Sequence, residues 1–334
     1  MNSLPPNWQK WVAENVLLQV DPSALVKTLV ENGFAQELAT QEVAVAAAHP
    51  YIEAARSLAR KIKKRDWLFE VYQALDRESP AANGVERTGI MSRAEFFGNY
   101  YANNRPVIMQ GALDHWPALQ LWTPEYLKER YGRATVEIQA GRKSDSRYEL
   151  NSAQHKTLVR FADYIDMIVT GGPTNDFYMT ANNGSRNLDA LRGLWNDIDP
   201  LPEYLKEEPS NPGFFWFGPA GTVTPLHHDL TNNFMGQVRG RKLVKLISPN
   251  YLPFIYNHVH CYSQVDLDNI DYDHYPRFRN VKIIEMVLQP GDLLFLPVGW
   301  WHYVRGLDVT ITMTFTNFRA GNEFSSFYAT HHEI

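Results

Sequence analysis

Thr224-Pro-Leu-His-His-Asp229, followed 73 residues after its aspartate by His302 in Pro297-Val-Gly-Trp-Trp-His302, decides how the rest of this chain is read. Along an extended strand successive side chains face opposite ways, so His227 and Asp229 share a face while His228 points away. With His302 they make a ligand set of two imidazoles and one carboxylate, which occupies one face of an octahedral Fe(II) and leaves three positions free. That vacancy suits a bidentate cosubstrate and dioxygen, whereas a structural zinc site would be closed. A His-x-Asp pair alone is common, and most histidines are surface or satisfied core residues, so the neighbouring residues carry the weight. Pro290-Gly-Asp292 reads as a tight turn and Leu293-Leu-Phe-Leu296 as a buried strand. Pro297-Val-Gly299 breaks that strand just ahead of Trp300-Trp301-His302, so the histidine arrives at a strand end with two indoles expected to wall a dry pocket.

Outward from these motifs, β-branched and aromatic runs recur: Phe214-Phe-Trp-Phe217, Lys242-Leu-Val-Lys-Leu-Ile247, Lys282-Ile-Ile-Glu-Met-Val287 and Val309-Thr-Ile-Thr-Met-Thr-Phe315. Evenly spaced short strands with turn signals between them predict a mainly β domain, a sandwich or barrel of jelly-roll type. Helices are expected at Pro124 to Tyr131, at Leu158 to Val169, and from Ser92 through Phe96, Phe97 and Tyr100. Residues up to about Leu75 read as a small α-helical module. There Asp21-Pro22 is an N-cap and first-turn pair, Leu25, Val26, Leu29 and Val30 have helical spacing, and Asn32-Gly33 is a stop. Arg56, Arg60, Lys61, Lys63, Lys64 and Arg65 fall mostly opposite an apolar face formed by Ile52, Ala55, Leu58, Ala59 and Ile62, the usual sign of a solvated helix face. The polar stretch from Asp76 to Gly89 is expected to be a linker. It divides residues 1–78 from a catalytic domain over 79–334, and the first part is read as serving substrate recruitment, dimerisation or stabilisation.

The chain has 334 residues, 44% hydrophobic and 13% aromatic, enough to bury a sizeable core. Its net charge of −5 argues against a coat for nucleic acid or acidic membrane. The single cysteine, Cys261, excludes an intrachain disulfide and a multi-cysteine zinc module, and fits a reducing cytoplasm, with the thiol read as a spectator. Met1 to Lys10 shows no secretory signal, and no stretch approaches the roughly 18 apolar residues that span a bilayer.

Taken together these residues resemble the JmjC-type, cupin-like Fe(II)/2-oxoglutarate oxygenases, in the branch that contains the hypoxia-inducible factor asparaginyl hydroxylase. The likeness runs from about Met91 to Phe318. It includes Phe96-Phe-Gly-Asn-Tyr100, Arg105-Pro-Val-Ile108, His115-Trp-Pro-Ala118, Trp122-Thr-Pro-Glu-Tyr-Leu127, Gln237-Val-Arg-Gly-Arg-Lys242 and Ser263-Gln-Val-Asp266, beside the two motifs above. The resemblance implies a double-stranded β-helix with flanking helices. It implies that Fe(II) is bound by His227, Asp229 and His302, that 2-oxoglutarate is the cosubstrate and that O2 is consumed. It places Lys242, 15 positions after His227, against the far carboxylate of 2-oxoglutarate, where a fixed cation is needed. Thr224, Asn233 and Tyr178 would be further polar contacts, although such residues at strand ends also commonly satisfy backbone groups. Two positions depart from the relative: Tyr262, preceded by Cys261, stands where it has a glutamine that grips the target amide, and Thr314 replaces an asparagine. The chain also ends at Ile334, short of that relative's helical dimer tail, which leaves a homodimer open.

The activity so implied is hydroxylation of an amino-acid side chain in a protein or peptide, with release of succinate and CO2. The alternatives are hydroxylation or demethylation of a small metabolite or natural product and, outside enzymes, an inactive cupin used as a binding module. A dead module would have no physical need to keep three ligands and the lysine.

Overall fold

A computed structural model describes residues 3–78, 84–181, 184–199, 201–208, 211–257 and 261–324. It divides into two compact units, Met1–Tyr72 and Gln73–Ile334. The first is helical, with α1 at Pro6–Leu17, α2 at Pro22–Glu31, α3 at Gln36–Ala48 and most of α4, Pro50–Glu78. Asp21 caps α2 by accepting from the Ser23 amide, and Gly33, at φ 91°, ends the following turn in a conformation that side chains disfavour. Leu25 and Leu29 of α2 pack with Val12, Val16, Ala39 and Val43 from its neighbours.

The second unit is built from strands. These are β1 Glu86–Thr88, β2 Val107–Met109, β3 Thr135–Ala140, β4 Lys156–Arg160, β5 Phe177–Tyr178, β6 Phe214–Gly218 and β7 Val223–His228. They continue as β8 Asn233–Arg239, β9 Lys242–Ile247, β10 Ile284–Leu288, β11 Leu293–Leu296, β12 Trp301–Gly306 and β13 Thr310–Phe315. One sheet has the order β1-β2-β11-β8-β13-β6 and the facing one β10-β9-β12-β7. From β6 to β13 the chain changes sheet at every step except the β9–β10 pair, which is the winding of a double-stranded β-helix. Pairing among these eight strands is antiparallel throughout. A third sheet, β4-β3-β5, is formed by the segment between β2 and β6 of the larger sheet.

Alternation along the strands assigns each layer its core. Met235, Leu294 and Leu296 of the larger sheet meet Val244, Leu246, Leu288 and Val304 of the smaller one in the interior. The alternate neighbours point outward: Phe215, Phe217, Phe234, Phe295, Ile311 and Met313 bury against the flanking helices. Leu226, Ile247, Trp301 and Tyr303, on the outer face of the smaller sheet, are covered by Tyr251, Ile255, Val265, Leu267 and Phe278 from the long β9–β10 connection.

Three local expectations are corrected. The helix expected from Leu158 begins at Phe161, because Lys156–Arg160 pair with β3 first. The expected linker from Asp76 to Gly89 is partly ordered: α4 runs on to Glu78, and Glu86–Thr88 add to β2 in parallel. The Gln73 side chain donates to the Asn250 carbonyl at 2.6 Å and the Asp76 carboxylate accepts from the Asn250 side chain at 2.8 Å, so the last turns of α4 are tied down by tertiary contacts. Residues 79–83 of that linker lie outside the described residues. The Ser92 helix is real and carries a reciprocal capping box with Glu95, but after Phe96 it widens into a π-helical turn over Phe97–Tyr101.

Candidate metal and cosubstrate site

His227 sits near the end of β7 and His302 near the start of β12, and the two residues are paired in register. Asp229 follows the strand end. The ligand atoms of the three lie within 4.8 Å of one another, with His227 Nε2 at 3.7 Å and His302 Nε2 at 3.9 Å from the two carboxylate oxygens of Asp229. His227 Nδ1 lies 2.8 Å from the Pro225 carbonyl and His302 Nδ1 lies 3.0 Å from the Trp300 carbonyl. A carbonyl can only accept, so each Nδ1 carries the proton and each Nε2 presents its lone pair, the arrangement of a metal-ligating histidine. Burial pushes both imidazoles below their ordinary pKa, and for His227 the neighbouring His302 adds to it. Both are therefore neutral at pH 7, the form that binds a metal. His228 lies on the other face of β7 against the Trp301 ring, as alternation requires.

Thr224 and His227 are three residues apart, so regular alternation would place them on opposite faces. They share the cavity because β7 carries a bulge: two residues of β12, from His302 to Val304, span three of β7, from His227 to Thr224. The carbonyl of Pro225, inside that bulge, is the one that fixes the His227 tautomer. One irregularity thus brings a hydroxyl to the ligands and orients one of them.

A cavity of about 300 Å³ extends from the triad into the barrel and is lined by Thr224, Asn233, Lys242 and Tyr178 among others. All seven residues expected at the site are therefore brought to one cavity. Lys242, the first residue of β9, is 2% exposed and donates to the Tyr178 hydroxyl at 3.1 Å. Burial lowers its pKa to about 7, with no carboxylate paired to it among the described residues, and burial raises that of Tyr178. A buried lysine held by one phenol is a cation waiting for an anion. Asn233 donates to Asp229 at 3.3 Å, which orients the carboxylate, while its own Oδ1 is buried and has no hydrogen-bond partner among the described residues. These observations fit an Fe(II) on the triad and a dicarboxylate reaching Lys242.

The two indoles do not wall the cavity. Trp301 follows strand parity and points outward, opposite to His302, and Trp300 donates to Asn104. The aromatic lining comes instead from Trp216, Phe214, Tyr178 and Tyr262. Tyr262 stacks on His227 with ring centroids 5.3 Å apart, and Trp216 donates to Thr314 at 2.9 Å. Cys261 lines the cavity, and burial above all pushes its thiol pKa up to about 12. One lining residue, Glu149, had no signal in the sequence: it is buried and paired at 2.7 Å with the buried Arg142. The two come from the irregular segment after β3, where no periodicity marks an inward side chain.

The profile of a family described as a cupin-like domain matches residues 93–323. Lysine-specific demethylase 8 of Xenopus tropicalis is 33% identical over 232 residues, covering 67% of this chain and 50% of that protein. Lysine-specific demethylase JMJ30 of Arabidopsis thaliana is 31% identical over 261 residues, 73% of this chain and 57% of that one. tRNA wybutosine-synthesizing protein 5 of Gallus gallus is 28% identical over 240 residues, 68% of this chain and 74% of that one. The chain thus spans about half the length of the two demethylases.

Proposed function

The chain belongs to the JmjC-type, cupin-like family, and from that premise we propose that it is an Fe(II)- and 2-oxoglutarate-dependent oxygenase that hydroxylates an amino-acid side chain of a protein or peptide. The observation that carries this reading is the pairing, in one cavity, of the His227, Asp229 and His302 triad with the buried Lys242, which forms no ion pair among the described residues. When bound, Fe(II) with 2-oxoglutarate and O2 supplies the power to oxidise an unactivated C–H bond, and 2-oxoglutarate leaves as succinate and CO2.

The protein's part is positional. The Pro225 and Trp300 carbonyls hold the imidazole tautomers, and Asn233 turns the Asp229 carboxylate toward them. Lys242, with the Tyr178 hydroxyl beside it and Thr224 on the same cavity wall, receives the far carboxylate of the cosubstrate. The buried aromatic lining keeps water from the reacting centre, and Tyr262 and Glu149 flank the space left for substrate. Hydroxylation of an N-methyl group by the same machinery would end in demethylation, the activity for which two of the relatives are named. Mass spectrometry of peptides incubated with the protein, Fe(II), 2-oxoglutarate and O2 separates the readings. A stable gain of one oxygen supports hydroxylation, whereas loss of a methyl group with formaldehyde release replaces it with demethylation. Turnover on small metabolites alone would reject the protein or peptide substrate.

A further inference from the structure

The 29-residue helix α4 carries a row of exposed apolar side chains. Tyr51, Leu58, Ile62 and Tyr72 recur at spacings of seven, four and ten, which places them within an arc of about 80° that also holds the half-buried Phe69 and the exposed Arg65, and they are 80%, 59%, 55% and 50% exposed. Leu68, 41% exposed, borders the same arc. Single exposed apolar residues are ordinary, but a stripe about 30 Å long at helical spacing marks a contact surface.

The charges on α4 say what covers it. Residues 50–65 hold six basic side chains, Arg56, Arg60, Lys61, Lys63, Lys64 and Arg65, against Glu53. Residues 66–78 hold Asp66, Glu70, Asp76 and Glu78 against Arg77. Among the described residues Arg60, Lys61, Lys63, Arg65, Asp66 and Glu70 form no ion pair within 4 Å. Several instead face like charge one turn away: Arg56 and Arg60, Arg60 and Lys64, Lys61 and Arg65, Asp66 and Glu70, each an unfavourable i,i+4 pair. A basic block followed by an acidic block is its own complement only when a second α4 runs antiparallel, so that each basic half lies beside the partner's acidic half. That is the two-fold, self-complementary arrangement of most homodimers.

We propose that α4 is a homodimerisation helix, pairing antiparallel with the α4 of a second copy through Leu58, Ile62 and Tyr72 and through its opposed charge blocks. Sedimentation equilibrium on the full chain tests it. The wild type sediments as a dimer that weakens as salt is raised, and Ile62→Glu weakens self-association by roughly tenfold or more. Reversing only the basic block (Lys61→Glu with Arg65→Glu) or only the acidic one (Asp66→Lys with Glu70→Lys) yields chains that no longer self-associate but pair with each other when mixed. These positions are exposed or half-buried on the helix surface, and circular dichroism on each variant checks that the helices remain. A wild-type monomer overturns the proposal, including one whose basic block instead binds RNA or anionic vesicles. So does a dimer indifferent to Ile62→Glu, or a mixture of the reversed chains that fails to pair.

Discussion

Lys242 shows how one residue ties stability to chemistry. Its pKa of about 7 in the fold, against 10.5 for an ordinary lysine, arises because burial penalises the charged form. The sign follows from linkage: between these two values the unfolded chain binds more protons than the folded one, so folding becomes more favourable as pH rises through that window. Below about pH 7 the full cost of burying the charge is present. Without cosubstrate, wild-type protein should gain melting temperature relative to Lys242→Met as pH is raised from 7 towards 10, and a pH-independent difference would contradict the burial account. A bound dicarboxylate should erase most of this dependence, because it gives the ammonium a partner.

At the scale of elements, the turn from β8 into β9 sets where Lys242 begins. Gly240 has φ 65°, and a Cβ there would lie 2.3 Å from the Val309 carbonyl oxygen. Gly240→Ala should therefore cost roughly 2 kcal/mol or more in urea denaturation and weaken 2-oxoglutarate binding with it; a neutral substitution would show that the turn does not set the strand. Such turns and strand runs are legible because each residue type answers a local requirement. Pro290-Gly-Asp292, with Gly291 at φ 94°, and the Leu293–Leu296 strand were readable for that reason, as was the opposed orientation of His227 and His228. What escaped the sequence was non-local. The β7 bulge, which puts Thr224 on the His227 face, depends on pairing with β12. The outward turn of Trp301, by contrast, follows from strand parity opposite His302 and was open to the same reading as His228. Glu149 and Arg142 meet through a loop with no period to read.

Over the whole molecule, the division after Tyr72 predicts where the chain can be cut. Gln73 and Asp76 hold Asn250, and Asp76 lies 3.4 Å from the Ser248 hydroxyl, so these residues serve the barrel's long connection. A chain starting at Gln73 should be more stable than one starting at Ser79, by about 1–3 kcal/mol for the lost hydrogen bonds. Equal melting would show that the last turns of α4 contribute nothing there. The account's central claim, that the triad and Lys242 together make an oxygenase, is tested most directly by succinate formation from 2-oxoglutarate by the purified protein with Fe(II), ascorbate and O2. Turnover that is abolished in His227→Ala, and that in Lys242→Ala requires far more 2-oxoglutarate, is the predicted result. Turnover unchanged in either variant, or a wild-type protein that neither turns over nor binds 2-oxoglutarate, would contradict it.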